Sequence, residues 1–139
     1  MRHRGSISQI NKDRNKTIIS LYRKALEILP YPTTHSEICK AIAEFPVPKF
    51  YISFDTALWY IRCRYYQEQE KQFLNTYKQK LFDALYNRFL ELSDNPSYCN
   101  CKMKTLVSMT LDSPAPCLGM SPWMVYDFLR RHRKELKKK

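Results

Sequence analysis

The sequence predicts an all-α fold, an internally duplicated bundle of about six helices related by a pseudo-twofold axis. Three observations lead there. Only two glycines occur in 139 residues, too few for a chain built on tight hairpin turns. Apolar residues recur at helical rather than alternating spacing. The stretch Pro46-Val-Pro-Lys-Phe-Tyr-Ile-Ser53 returns sixty-eight positions later as Pro114-Ala-Pro-Cys-Leu-Gly-Met-Ser121. Around it, Ile38, Glu44, Ala57, Tyr60, Ile61 and Arg62 are matched by Leu106, Asp112, Val125, Phe128, Leu129 and Arg130.

Each element has a local reason. Residues 1–11 are basic and lack helical periodicity, so they are expected to form a flexible arm. From Lys12, the residues Ile18, Leu21, Tyr22, Ala25, Leu26 and Leu29 follow the i, i+3, i+4 pattern of one buried stripe, and Pro30 and Pro32 stop the helix. Thr34-x-x-Glu37 is a capping box that starts a short second helix with Ile38, Ala41, Ile42 and Phe45 inward. Pro46 and Pro48 end it. Ser53, with Asp55 in the first turn, caps a third helix whose face is Phe54, Ala57, Leu58, Ile61 and Tyr65.

Neither glycine nor proline occurs between Ser53 and Asn95, yet Gln67–Gln72 has no apolar anchor and Asn75-Thr76 offers a fresh cap. A break near 68–75 is therefore expected before the stripe Tyr77, Leu81, Leu85, Phe89, Leu92. This fourth helix echoes the first at an offset of sixty-four: Leu21, Tyr22, Leu26, Glu27 and Ile28 match Leu85, Tyr86, Leu90, Glu91 and Leu92. A fifth helix is expected over about 103–112. A sixth starts at Ser121 with Pro122 in its first turn and runs into the basic tail. The expected organisation is thus an arm (1–11), a first repeat (12–68), a connector (69–75), a second repeat (76–132) and a basic tail (133–139), all in one compact domain.

Charge is the main functional signal. The formal net charge is +11, and residues 1–24 and 130–139 each carry a net +6, leaving the middle near neutrality. Clustered Lys and Arg gain affinity for nucleic acid by releasing condensed counterions. Arg2, Arg4, Lys12, Arg14, Lys16, Arg130, Arg131, Arg133, Lys134 and Lys137 are the expected phosphate contacts, with Arg62 and Arg64 as further candidates on the third helix. Tyrosines and Trp59 interleaved with these arginines could stack on unpaired bases, Trp59 and Tyr66 being the two that fall off the apolar stripe. A helix-turn-helix reading, with 34–45 and 53–66 as its helices, meets an objection: seven residues connect them where three or four are usual.

No catalytic motif is present. His3, His35 and His132 are scattered, and there is no Gly-rich phosphate loop, paired-carboxylate metal motif or nucleophile motif, so neither an enzyme nor a small-molecule substrate is expected. Cys99-Asn-Cys101 with Cys117 and His132 offers zinc-type ligands, but the pair is closer than the usual C-x2-4-C. A cysteine-containing surface loop is the preferred reading, and no metal or cofactor is expected. Five cysteines, no apolar leader and no long apolar run point to a reducing, cytoplasmic setting without a membrane partner.

Pro46–Ser53 resembles a Pro-Ala-Pro-Arg-Phe-Tyr-Leu-Thr type of motif in small basic helical proteins of unassigned function encoded by bacterial mobile elements. The resemblance covers two stretches of about thirty residues. Cys117, Leu118 and Gly119 stand in the second copy where the first has Lys49, Phe50 and Tyr51. It implies an accessory factor of a mobile element. The alternative to DNA or RNA binding is an adaptor docked on a larger recombinase or reverse transcriptase, with Lys49, Phe50 and Tyr51 as partner contacts.

Overall fold

The computed structural model describes residues 7–30, 33–67, 73 and 75–134. Among these residues are six α-helices and no strand: α1 (Ile7–Ile28), α2 (His35–Glu44), α3 (Phe54–Gln67), α4 (Thr76–Ser93), α5 (Met103–Leu111) and α6 (Pro122–Arg131), with a 3-10 turn at Pro96–Tyr98 ahead of α5. No described helix is long and apolar enough to cross a membrane.

The helix starts are set by side chains meeting orphan backbone N–H groups. At α2, Thr34 Oγ1 accepts from the Glu37 N–H at 3.1 Å while Glu37 accepts from the Thr34 N–H at 2.9 Å. Ser53 Oγ accepts from the Thr56 N–H at 3.2 Å, Asn75 from Tyr77 and Lys78 at 2.8 and 3.2 Å, and Ser121 from Met124 at 3.4 Å. These four starts agree with the sequence reading, and so does the interruption between Gln67 and Thr76.

One boundary differs. α1 begins at Ile7 rather than Lys12, so residues 7–11 belong to the helix and not to a flexible arm. The Gln9 amide donates to Asp13 one turn on, at 3.0 Å, which supports the added turn. Residues 1–6 lie outside the described residues.

Packing follows a crossed pattern. α1 lies on α2 and α4 on α5, but α2 packs against α6, and α5 against α3. At the centre, Val47 and Ala115, the middle residues of the two Pro-x-Pro turns, each donate a backbone hydrogen bond to the other's carbonyl at 3.0 Å. Burial also recurs at the two sequence offsets. Ile18, Leu21 and Ala25 are buried, as are Phe82, Leu85 and Phe89; Ile38, Ile42, Val47, Phe50, Ala57, Tyr60 and Ile61 are buried, as are Leu106, Thr110, Ala115, Leu118, Val125, Phe128 and Leu129. All the apolar members of this set belong to one continuous core.

The third helix departs in one detail from its expected face. Tyr60 is 2% exposed while Tyr65 is 42% exposed. The cause is α4, against which α3 also packs. It brings Phe82 and, from the connector, Phe73 onto Tyr60 at 4.9 and 6.1 Å between ring centroids.

Candidate nucleic-acid interface

α1 sets out its cations by helical geometry. Ile18, Leu21 and Ala25 face the core, which turns Lys12, Lys16 and Arg23 to solvent. Positions i, i+4 and i+11 fall within about 40° of one another at 100° per residue and span about 16 Å along the axis. Lys24, also exposed, stands apart with its ammonium over the Phe45 ring at 5.1 Å. Arg14 does not join the row. It is half-buried, its Nε is buried without a hydrogen-bond partner, and burial pulls its pKa below the ordinary guanidinium value.

Arg64 is likewise turned inward. Its guanidinium donates to the Tyr60 hydroxyl at 3.0 Å and to Asp83 of α4 at 3.1 Å and lies over the Tyr86 ring at 4.5 Å. Desolvation opposes the charge, but the bonds to Tyr60 and Asp83 outweigh it and hold the pKa above its ordinary value. Arg64 is a structural tie between α3 and α4. Arg62, two residues earlier and on the other side of the helix, is exposed.

At the other end, Arg130 and Arg131 grip the two oxygens of Asp127 at 2.8 and 2.6 Å, while Arg133 and Lys134 are exposed. The hydrogen bond from Arg130, with the charges of Arg131 and Arg130, holds the Asp127 carboxyl below its ordinary value. Both arginines keep most of their surface, with side chains 53% and 66% exposed. α2 is the common neighbour of α1, which carries the basic row, and of α6. Arg2, Arg4 and Lys137 lie outside the described residues.

The residues expected to contact a protein partner are held by the fold. Phe50 is buried, so it offers no docking surface, and its N–H donates to the Leu111 carbonyl at the end of α5 (3.0 Å). The Tyr51 and Thr17 hydroxyls share a hydrogen bond of 2.6 Å. Lys49 reaches Asp13 at 3.6 Å. A cleft of about 330 Å³ opens beside them, where Asp13, Lys49 and Asp112 meet Phe50, Ile52 and Leu111. Two carboxylates against one ammonium make it unsuited to phosphate.

No family model, curated protein or solved structure matches this chain.

The zinc-type residues stay apart in role. The Cys117 thiol is buried and donates to the Tyr77 carbonyl at 3.6 Å. His132 lies 2.9 Å from the Phe128 carbonyl through Nδ1 and stacks on the Phe128 ring at 4.0 Å. Cys99 is exposed on its loop. Among the described residues, no group of three His, Cys, Asp or Glu could hold a metal ion.

Helix-turn-helix docking finds no support in the packing. That motif packs its two helices against each other, whereas the principal partners of α2 are α1 and α6, and those of α3 are α5 and α4. Sequence reasoning missed Trp123, Met124 and Tyr126, which are 68%, 43% and 40% exposed on α6. The available signal was their position off the Val125, Phe128, Leu129 stripe.

Proposed function

We propose that this chain is a duplicated helical scaffold that binds nucleic acid through backbone phosphates, as a non-catalytic accessory factor of a mobile element working in the cytoplasm. The observation that carries the reading is the row Lys12, Lys16 and Arg23 on one solvent face of α1. Cations at such spacing can neutralise successive phosphates of one strand or face without any change in the fold. The exposed end of α6, with Arg130, Arg131, Arg133 and Lys134, supplies the second contact. Arg62 contributes; Arg14 and Arg64 are assigned to the scaffold.

The scaffold half of the proposal rests on the reciprocal Val47 and Ala115 bridge. A twofold axis between these matched residues would generate both hydrogen bonds. It would also convert the α1–α2 pair into α4–α5 and the α2–α6 pair into α5–α3.

The test is a mobility-shift titration of the full chain with duplex and single-stranded DNA and with RNA. Lys12→Gln, Lys16→Gln and Arg23→Gln together should weaken binding to all three about equally, since phosphate contacts carry no sequence information. Unchanged affinity in the triple variant would overturn the assignment. Of the residues expected to contact a protein partner in the adaptor reading, Phe50 is buried whereas Lys49 and Tyr51 are partly exposed.

A further inference from the structure

The two tryptophans of the chain, Trp59 and Trp123, are 50% and 68% exposed. Leaving so much indole in water is unfavourable by roughly 25 cal/mol per Å² of apolar surface, so a covering partner would gain from it. Each tryptophan also belongs to a patterned stripe. On α3, Trp59, Arg62 and Tyr66 stand at i, i+3 and i+7; on α6, Trp123, Tyr126 and Arg130 stand at the same three positions. That spacing aligns side chains on one helix face over about 10 Å. All six are exposed. Arg62 and Arg130 are the matched pair at offset sixty-eight. The Trp123 and Tyr126 rings already stack, with centroids 5.6 Å apart and planes at 26°.

We infer that these two stripes are stacking platforms for unpaired bases of a single-stranded nucleic acid. The inference rests on the nucleic-acid reading above and names its substrate class. Base faces are hidden inside a duplex but exposed in a single strand, and aromatic rings take any base because every base has a π-face. The arginine in each stripe sets a cation, and a planar guanidinium that can itself stack, beside the rings. Further exposed basic residues, Arg131, Arg133 and Lys134, follow at the C-terminal end of α6. Among the described residues, the carboxylates on these faces are Asp55 and Asp127. Asp127 is neutralised by Arg130 and Arg131. A purely apolar protein partner would not call for an arginine in both stripes, whereas a polyanion with exposed bases matches both components.

Because no other tryptophan is present, intrinsic fluorescence of the full chain reports on both platforms. Oligothymidylate and oligouridylate should quench it saturably, and a duplex of equal length should bind without comparable quenching. A preference between the two oligomers identifies DNA or RNA as the better source of the strand. Trp59→Ala and Trp123→Ala should each weaken single-strand binding roughly 5- to 100-fold and leave duplex affinity unchanged. Trp→Phe at either position should restore most of the loss. Both positions are exposed, so circular dichroism should show native helicity.

Single-strand affinity unchanged in the alanine variants would overturn the platforms while leaving the phosphate reading intact. So would equal binding of single strand and duplex without quenching. Binding to none of the three would overturn both readings. Loss of a stoichiometric protein partner from the alanine variants, with single-strand affinity unchanged, would reassign the stripes to that protein and overturn the inference.

Discussion

The two Pro-x-Pro turns make the same pair of contacts with different chemistry. In the first, Lys49 meets Asp13 at 3.6 Å and Tyr51 meets Thr17 at 2.6 Å, two polar links back to α1. In the second, the matched positions are Cys117 with Tyr77 and Gly119 with Leu81. There the Cys117 thiol bonds the Tyr77 carbonyl at 3.6 Å, and Gly119 lies so close that an added Cβ would stand 2.6 Å from Leu81 Cδ2. One turn is held by hydroxyls and an ion pair, the other by a thiol hydrogen bond and close apolar packing. The difference bears on why Lys49 and Tyr51 are replaced by Cys117 and Gly119, while Phe50 is matched by the equally buried Leu118. Lys49 and Tyr51 reach α1, and where Leu81 stands in place of Thr17 there is no room for a side chain at position 119.

The comparison can be broken at either end. Gly119→Ala should have the largest effect. The residue sits at φ 80°, where a Cβ is strained, and the new methyl meets a buried Leu81, so thermal or urea unfolding should register a loss of about 2–4 kcal/mol. In a Leu81→Ala background, the same substitution should cost only about 1 kcal/mol, because the clash is gone and the strained φ remains. Equal costs in both backgrounds would separate Gly119 from Leu81.

Tyr51→Phe should cost about 1 kcal/mol through the lost hydroxyl pair, with Thr17→Val Tyr51→Phe no worse than the single variant. Lys49→Ala should fall within about 0.5 kcal/mol, since the Lys49–Asp13 link is partly exposed and screened. A larger loss would mean that Lys49 does more for the fold than its 3.6 Å contact implies.

Acid should act on α6 more gently still. The Asp127 carboxyl is depressed in the folded chain by its bond to Arg130 and by the charges of Arg131 and Arg130. A depressed carboxyl contributes stability above its unfolded pKa and loses it as pH falls through the folded value. The last turn of α6 should therefore loosen only below the ordinary carboxylate range, as amide exchange there would report. Asp127→Asn should leave Arg130 and Arg131 with less neutralising charge and raise nucleic-acid affinity severalfold at low salt.

Helix starts were legible in the sequence because capping is local: Thr34, Ser53, Asn75 and Ser121 each act within three residues of themselves. The echo of one Pro-x-Pro turn in the other was legible because both prolines persist at an offset of sixty-eight. The crossed packing of α2 on α6 and α3 on α5 was not legible, since nothing in one helix names its distant partner. That packing is why Val47 and Ala115, the middle residues of the two turns, are buried. The early start of α1 was missed although Ser6-x-x-Gln9 has the spacing of a capping box.

Of the candidate site, the exposure of Lys12, Lys16, Arg62, Trp59 and Tyr66 followed from periodicity alone. The inward turn of Arg64 needed Asp83 and Tyr86, nineteen and twenty-two positions away. Arg14 needed the burial that only the assembled bundle provides.

The most direct test of the functional claim is the salt dependence of binding by the full chain to duplex DNA. A protein that neutralises several phosphates should give a logarithmic affinity that falls linearly with the logarithm of salt concentration, at about 0.9 per phosphate. The slope should shrink by about three in the Lys12→Gln, Lys16→Gln, Arg23→Gln variant. A slope near zero, or one unchanged in that variant, would contradict the assignment of the α1 row as the phosphate-binding surface.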